Sequence, residues 1–192
     1  TLVRECRMEL PAGLPPMASG LFGFLGYDMV RDMERLPDTN PDPIGLPDAI
    51  MVRPTMICIF DRLEDHVTLV TPAWPQPGIG ARASYEAAHE RLADAVSDFE
   101  RTLPFRRESA DALDGLPDPQ ANMSKDEFKQ MVEICKEYIR AGDAFQIVPS
   151  QRFSLPFKLP PLSLYRSLRR INPSPFLIFF DYGDFSIVGS SP

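Results

Sequence analysis

Few residues in this chain are of the kinds that usually carry out catalysis or bind metals. The two histidines, His66 and His89, are isolated, one at the start of a strand-like segment and one on the polar side of a helical pattern. The three cysteines, Cys6, Cys58 and Cys135, are widely spaced and form no metal-ligand motif with each other or with a histidine. Residue types and spacing therefore predict no metal site in this chain and no histidine-based catalysis.

Other ligand-binding patterns are also missing from the sequence. It has neither a glycine-rich dinucleotide-binding pattern after a strand nor a phosphate-binding loop that ends in Gly-Lys-Ser or Gly-Lys-Thr. Asp38, Asp42 and Asp48 lie among the prolines of residues 37–48, which favours a solvated loop over a calcium site. Composition and spacing by themselves describe a soluble α+β domain and leave its chemistry open.

The overall composition restricts the class of protein. There are 20 Lys and Arg residues against 27 Asp and Glu residues, for a net charge of −7, which argues against a nucleic-acid or anionic-membrane surface. The apolar runs, such as residues 176–180, are far shorter than the ~20 residues of a membrane helix. An odd number of widely spaced cysteines is typical of a reducing compartment. We therefore expect a cytoplasmic protein without a nucleic-acid or membrane partner.

Prolines separate the helical and strand-like patterns. The 21 prolines in 192 residues are about twice the usual share of ~5%, and they predict short elements joined by rigid turns. Between them, the periodicity predicts a glycine-rich strand, a short helix, two hairpins, a further strand and three longer helices. In chain order these are residues 18–27, 28–36, 49–60 with 66–71, 81–103, 124–141, 145–155, 160–171, and 176–182 with 185–189.

The order of these elements predicts an α+β fold with mainly antiparallel sheets and flanking helices. Residues 104–123 mix Pro, Asp, Arg and Gly without periodicity and predict a linker or exposed loop. The chain is therefore divided into a first lobe at 1–103, this linker, and the beginning of a second domain at 124–192. The strand at 185–189 has no following element to cover it, so we expect the chain to be a piece of a longer protein.

Three motifs in this chain are long enough to be compared with known enzyme families. The first is residues 141–153, Ala-Gly-Asp-Ala-Phe-Gln-Ile-Val-Pro-Ser-Gln-Arg-Phe, and the second is residues 172–180, Asn-Pro-Ser-Pro-Phe-Leu-Ile-Phe-Phe, with Gly189-Ser-Ser-Pro192 after them. Residues 20–28, Gly-Leu-Phe-Gly-Phe-Leu-Gly-Tyr-Asp, are the third. Together they resemble the chorismate-utilising enzymes and, within that family, the synthase subunits of anthranilate synthases, and the resemblance covers essentially the whole chain.

The resemblance implies the two-lobed fold of these enzymes and a defined reaction. That reaction converts chorismate and ammonia to anthranilate and pyruvate, the first step of tryptophan biosynthesis, with tryptophan as feedback inhibitor. The family further implies magnesium as cofactor and a glutamine amidotransferase subunit as the partner that supplies ammonia. In the family the magnesium ligands and most catalytic residues follow the Gly-Ser-Ser-Pro motif, so we expect the isolated chain to be inactive.

Gln146 is the candidate catalytic residue that the resemblance suggests. Isochorismate- and salicylate-forming relatives resemble this segment but have a lysine at the same place, which is thought to activate water. A glutamine side chain cannot accept a proton near neutral pH and can orient a nucleophile only through hydrogen bonds. This property fits an enzyme that uses ammonia. The alternative is that Gln146 merely satisfies neighbouring backbone groups.

The resemblance also implies a tryptophan-binding pocket at the connection between residues 171 and 177. The expected pocket residues are Asn172, Pro175, Phe176, Leu177 and Gly189. The family usually has Tyr and Met where this chain has Phe176 and Leu177, and both changes keep an apolar side chain. The alternative is a helix-to-strand connector without a ligand.

Two other functions remain open from the sequence. Aminodeoxychorismate synthase, the folate-branch relative, shares the scaffold but typically has Tyr-Gln-Val-Asn and Asn-Pro-Ala-Pro in the two motifs, so residues 145–148 and Ser174 favour anthranilate. Alternatively, the chain as it stands is a non-catalytic module that serves regulation and partner binding.

Overall fold

A computed structural model describes residues 2–103 and 115–191. The chain divides into two compact units, residues 1–104 and 105–192. Each unit is built from helices and two-stranded antiparallel sheets, which confirms the predicted α+β class. The predicted linker at 104–123 lies partly outside the described residues, so the proposed division into 1–103, 104–123 and 124–192 stays a prediction.

Residues 2–103 of the first unit form two helices, four strands and two 3-10 helices. They are α1 (Leu2–Glu5), 3-10 helices at Pro16–Ala18 and Tyr27–Asp32, β1 (Phe22–Leu25), β2 (Ala49–Val52), β3 (Ile57–Asp61), β4 (His66–Val70) and α2 (Ala81–Phe99). The antiparallel pairs are β1 with β2 and β3 with β4. The prediction of one strand over 49–60 is wrong, because its two halves pair in different sheets and Pro54 between them has no N–H to donate.

Two glycines allow β2 and the residue before it to approach β1 closely. A Cβ built at Gly23 would lie 1.8 Å from the carbonyl oxygen of Ile50, and the N–H of Gly26 donates to the Asp48 carbonyl at 2.6 Å. No larger residue fits at position 23 without moving the partner backbone. The close approach of a second backbone, for which glycine in a strand is often required, is therefore present in this segment.

The interior of the first unit is small. Among the described residues, the buried side chains are Cys6, Ala18, Trp74 and Ala88. The guanidinium of Arg53 lies 4.7 Å from the centre of the Trp74 ring, a distance at which the cation is attracted by the ring face. No described helix is both long and apolar enough to cross a membrane.

The second unit contains the motifs that the sequence singles out. Its elements are β5 (Gln120–Ala121), α3 (Lys125–Ala141), β6 (Phe153–Ser154), α4 (Pro161–Ile171), β7 (Phe176–Asp181) and β8 (Ser186–Ser191). The helix α4 packs against the hairpin formed by β7 and β8, with the rings of Tyr165 and Phe179 5.8 Å apart. The predicted hairpin is confirmed, and its turn contains Gly183 at φ 89°.

Helix α3 begins and ends as its sequence predicts. The Ser124 hydroxyl accepts the N–H of Glu127 at 3.2 Å, and the Glu127 carboxylate accepts the N–H of Ser124 at 2.7 Å. Hydrogen bonds that the backbone N–H and the hydroxyl of Ser124 donate to the Glu127 carboxylate hold the pKa of that carboxyl below its ordinary value. The helix ends at Gly142, which has a left-handed conformation with φ 85°.

The predicted strand over 145–155 is wrong for most of its length, since only Phe153–Ser154 is a strand. It pairs with Gln120–Ala121, and the pairing ends where Asn122 and Arg152 exchange hydrogen bonds of 2.9 and 2.8 Å. A strand requires a neighbour for its N–H and C=O groups, and none of the described residues pairs with 145–150 as a ladder. An alternating pattern of side chains was therefore not sufficient to make residues 145–150 a strand.

Candidate functional site

The connection between α4 and β7, here named the 172–175 loop, lies against the end of β8. The hydroxyl of Ser190 donates to the carbonyl oxygen of Asn172 at 2.9 Å. The hydroxyl of Ser174 donates in the opposite direction, to the carbonyl oxygen of Ser191. Two side-chain hydroxyls, one from the strand and one from the loop, therefore join the 172–175 loop to the last two residues of β8.

Few main-chain donors of this loop are left for a ligand. Pro173 and Pro175 have no N–H, and the N–H of Asn172 donates at 2.8 Å to a carbonyl in the last turn of α4. The N–H of Phe176 donates to the Ser174 hydroxyl at 3.1 Å. Within described residues 172–176, the N–H of Ser174 is therefore the main-chain donor left for a ligand, whereas the loop has several carbonyl oxygens as acceptors. The loop is thus rich in acceptors, which suit a positively charged amino group.

A cavity of about 360 Å³ adjoins the loop. This volume falls at the small end of the range for ligand pockets, ~300–1,000 Å³. The residues around the cavity are Asn172, Pro173, Ser174, Pro175 and Ser191. The structure therefore brings together two of the five predicted pocket residues, Asn172 and Pro175, and places neither Phe176, Leu177 nor Gly189 around this cavity.

The other three predicted pocket residues lie in the β7–β8 hairpin. Phe176 pairs with Ser191 and its side chain is 63% exposed, while Leu177 is half-buried. Gly189 pairs with Ile178, and a Cβ at position 189 would lie 2.9 Å from Ile178 Cγ1. Packing between the two strands thus gives Gly189 a structural role, and the part of these three residues in ligand binding stays a prediction.

Sequence reasoning missed the hydroxyls that hold the loop. In the sequence, Ser174 only distinguishes the chain from the folate-branch relative, and Ser190 belongs to a motif that assigns it no role. A serine two residues before the start of a strand is a recognisable signal, because its hydroxyl commonly accepts a nearby N–H. No such local signal exists for Ser190, whose partner is 18 residues away.

Gln146 is exposed and lies in the extended segment between Gly142 and β6. Its side chain makes no hydrogen bond to any residue in 2–103 or 115–191. The structure therefore does not bring Gln146 into the cavity beside the 172–175 loop, and the catalytic role suggested by the resemblance stays a prediction.

The described residues do not form a magnesium site. No three side chains among their His, Cys, Asp and Glu residues come close enough together to bind a metal ion. All three cysteines, Cys6, Cys58 and Cys135, are free. Acidic groups in the second unit are instead engaged locally, as in the ion pair of 2.8 Å between Lys136 and Glu133 on α3.

Comparison with known proteins shows which sequences this chain is similar to. Anthranilate synthase component 1 of Cereibacter sphaeroides is 50% identical over 191 residues, covering 100% of this chain and 38% of that protein. The protein of the same name from Pseudomonas aeruginosa is 37% identical over 194 residues, covering 98% of this chain and 39% of that protein. This chain thus spans about two fifths of the length of these relatives.

A solved structure with a similar fold belongs to a protein with the same name as these relatives. The crystal structure of anthranilate synthase component I from Streptococcus pneumoniae matches with a TM-score of 0.81 and 31% sequence identity, over 100% of this chain and 42% of that one. The family model described as chorismate binding enzyme matches residues 3–192. Since the family model covers almost every residue and the fold agrees with it, this chain belongs to the chorismate-binding enzyme family.

Proposed function

We propose that this chain is part of a synthase subunit that converts chorismate and ammonia to anthranilate and pyruvate, as the first step of tryptophan biosynthesis. The observation that carries the proposal is the 50% identity to anthranilate synthase component 1 of C. sphaeroides over 100% of this chain. Identity at this level over the full length of the chain supports a shared fold and a shared reaction.

Gln146 has the role of orienting ammonia in this proposal. Its amide is neutral at all physiological pH values and offers both a carbonyl acceptor and an NH₂ donor. Ammonia is already a nucleophile, so the enzyme needs orientation here rather than a base that removes a proton from water. The exposed position of Gln146 in an extended segment leaves the amide accessible to a nucleophile.

The 172–175 loop has the role of a regulatory site for tryptophan. Two features of the loop support this role, namely its attachment to β8 by two hydroxyls and its excess of carbonyl acceptors over N–H donors. A preformed loop loses little conformational entropy when a ligand binds, and the carbonyl oxygens complement the ammonium group of an amino acid. The predicted apolar neighbours Phe176 and Leu177 complete the proposed pocket.

The proposal includes magnesium, a glutamine amidotransferase subunit and a cytoplasmic location. As the family resemblance implies, we propose that the ligands of this ion follow the Gly-Ser-Ser-Pro motif, in the part of the relatives' length that this chain does not cover. The partner subunit releases ammonia from glutamine and delivers it to the synthase. The free cysteines are compatible with a reducing compartment.

The main alternative is that the chain alone acts as a regulatory and partner-binding module. It is favoured by the absence of any metal-binding cluster in the described residues and by the small share of the relatives that the chain covers. With chorismate, magnesium and ammonium, the purified 192-residue chain should form no fluorescent anthranilate under either hypothesis. The chimera described next is therefore the experiment that discriminates the two.

The proposal is tested by a chimera in which this chain replaces the equivalent residues of the C. sphaeroides relative. With chorismate, magnesium and ammonium, the chimera should form anthranilate, and it should restore growth of a tryptophan auxotroph that lacks component 1. A chimera that melts at the parental temperature but forms no anthranilate contradicts the proposal.

A further inference from the structure

The orientation of one carbonyl group in the 172–175 loop is not explained by the loop itself. Asn172 ends α4 with φ −131° and ψ 74°, and Pro173 follows it. Residues before proline usually have ψ between about +120° and +160°. Local preference therefore does not determine where the Asn172 carbonyl points, and a partner outside the loop is needed to hold it.

That partner is the hydroxyl of Ser190, which donates to the Asn172 carbonyl oxygen at 2.9 Å. Ser190 belongs to β8, where it pairs with Leu177 in the hairpin register, and it is half-buried. It is not among the residues around the cavity of about 360 Å³. Ser190 thus acts on the loop from the adjacent strand without facing the cavity.

We propose that Ser190 is a positioning residue for the ligand of the 172–175 loop, which, on the proposed function, is the amino-acid inhibitor. By holding the Asn172 carbonyl, Ser190 fixes the point where the chain leaves α4 and hence the place at which Pro173, Ser174 and Pro175 meet the ligand. The residue does not touch the ligand and acts through Asn172.

The hydroxyl of Ser174 holds the other end of the 172–175 loop. Ser174 donates to the Ser191 carbonyl and accepts the N–H of Phe176 at 3.1 Å, so the loop is held at its end as well as at its beginning. Substitution of Ser174 would change the loop itself and the start of β7 together. Substitution of Ser190 changes one contact and leaves every backbone group of the loop in place, so it is the sharper test.

The expected size of the effect follows from the strength of one hydroxyl–carbonyl hydrogen bond. Without this hydrogen bond the loop samples more conformations in the free protein. Because the loop must then be ordered when the ligand binds, the affinity for the ligand falls by about two- to ten-fold. Because the strand pairing of β8 uses main-chain groups only, Ser190→Ala leaves the hairpin intact. Ser190→Thr keeps a hydroxyl on a residue type that is favourable in strands, and should preserve the parental behaviour.

The first measurement is hydrogen–deuterium exchange on the 192-residue chain. Residues 172–177 contain four backbone N–H groups, since two of the six residues are prolines. Ser190→Ala should accelerate exchange in this segment, whereas Ser190→Thr should not. Ser186→Ala is the matched control, because it removes a half-buried hydroxyl from the other end of the same strand. Unchanged exchange in Ser190→Ala would show that the hydroxyl does not hold the loop.

The second measurement uses the anthranilate-forming chimera and compares tryptophan inhibition with turnover. Ser190→Ala should raise the tryptophan concentration for half-inhibition by about two- to ten-fold, with kcat and KM for chorismate unchanged and with recovery in Ser190→Thr. If Ser190→Ala exchanges faster but is inhibited by tryptophan like the parent, the proposal is overturned. Ser190 would then hold the loop without affecting the affinity for the ligand. If tryptophan does not inhibit the parent chimera at all, the regulatory function fails, while the exchange result still decides whether Ser190 holds the loop.

Discussion

Gly189 lies opposite Ile178 in the β7–β8 hairpin, where an added Cβ would be 2.9 Å from Ile178 Cγ1 and 3.2 Å from Cδ1. Both distances are shorter than the ~3.5–4.0 Å at which two carbon atoms attract each other best. The isoleucine side chain therefore occupies the space that a side chain at position 189 would need. This contact gives the glycine of the Gly-Ser-Ser-Pro motif a packing function.

Gly189→Ala is expected to destabilise the chain by about 1–3 kcal/mol, as overpacking usually does. In an Ile178→Ala background the same change should cost much less, because the opposing side chain is gone. A double-mutant cycle from urea denaturation measures this coupling. Equal costs in both backgrounds would show that Gly189 stabilises the chain for a reason other than its contact with Ile178.

Pro175→Ser is expected to weaken tryptophan inhibition in the chimera several-fold. The substitution releases a fixed φ angle and adds an N–H donor to a loop that otherwise offers acceptors, so ordering the loop costs about 0.5–1 kcal/mol more. Turnover of chorismate should change little. Pro156→Ser, an exposed proline outside the loop, is the control. Loss of turnover with parental inhibition would place the loop in the active site or the folding core.

Gln146→Lys is expected to lower ammonia-dependent anthranilate formation in the chimera. A cation at this position repels ammonium, and a lysine that loses its proton there would activate water instead. The products are separated by chromatography, so that any hydroxylated product is seen beside anthranilate. Gln151→Lys adds the same charge at another exposed position of the segment. If both variants behave like the parent, Gln146 has no role in the reaction.

The capping box of α3 predicts a specific dependence of stability on pH. The pKa of Glu127 is lowered in the folded chain by hydrogen bonds to the backbone and the hydroxyl of Ser124. A lowered pKa stabilises the fold above the ordinary value of 4.5, and this contribution is lost as the pH falls through the folded-state pKa. The effect is therefore present at neutral pH and disappears in acid.

We expect the difference in melting temperature between the parent and Glu127→Gln to shrink as the pH is lowered from 7 toward 3. Comparing the two proteins at each pH cancels the other carboxyl groups, and circular dichroism follows the helix. In a Ser124→Ala background the pH dependence of this difference should become smaller without vanishing, because the hydroxyl is lost while the backbone N–H of residue 124 still donates to the carboxylate. An unchanged pH dependence in that background would show that the Ser124 hydroxyl does not contribute to the lowered pKa.

Helix α3 and the β7–β8 hairpin follow from the sequence because their signals are local. Ser124 and Glu127 are three residues apart, Gly142 terminates the same helix, and Gly183 closes a turn between two adjacent apolar segments. Groups this close along the chain meet in almost any tertiary context. The motifs at 141–153 and 172–180 likewise identified the family without knowledge of the fold.

The tertiary structure decided which extended segments became strands and which hydroxyls formed the site. Residues 145–152 alternate like a strand but have no ladder partner among the described residues, while 49–60 divides because its halves find different partners. Ser190 reaches Asn172 across 18 residues because the hairpin register and the packing of α4 bring them together. Hydrogen bonds between distant residues depend on that register, and a linear pattern of residue types does not contain it.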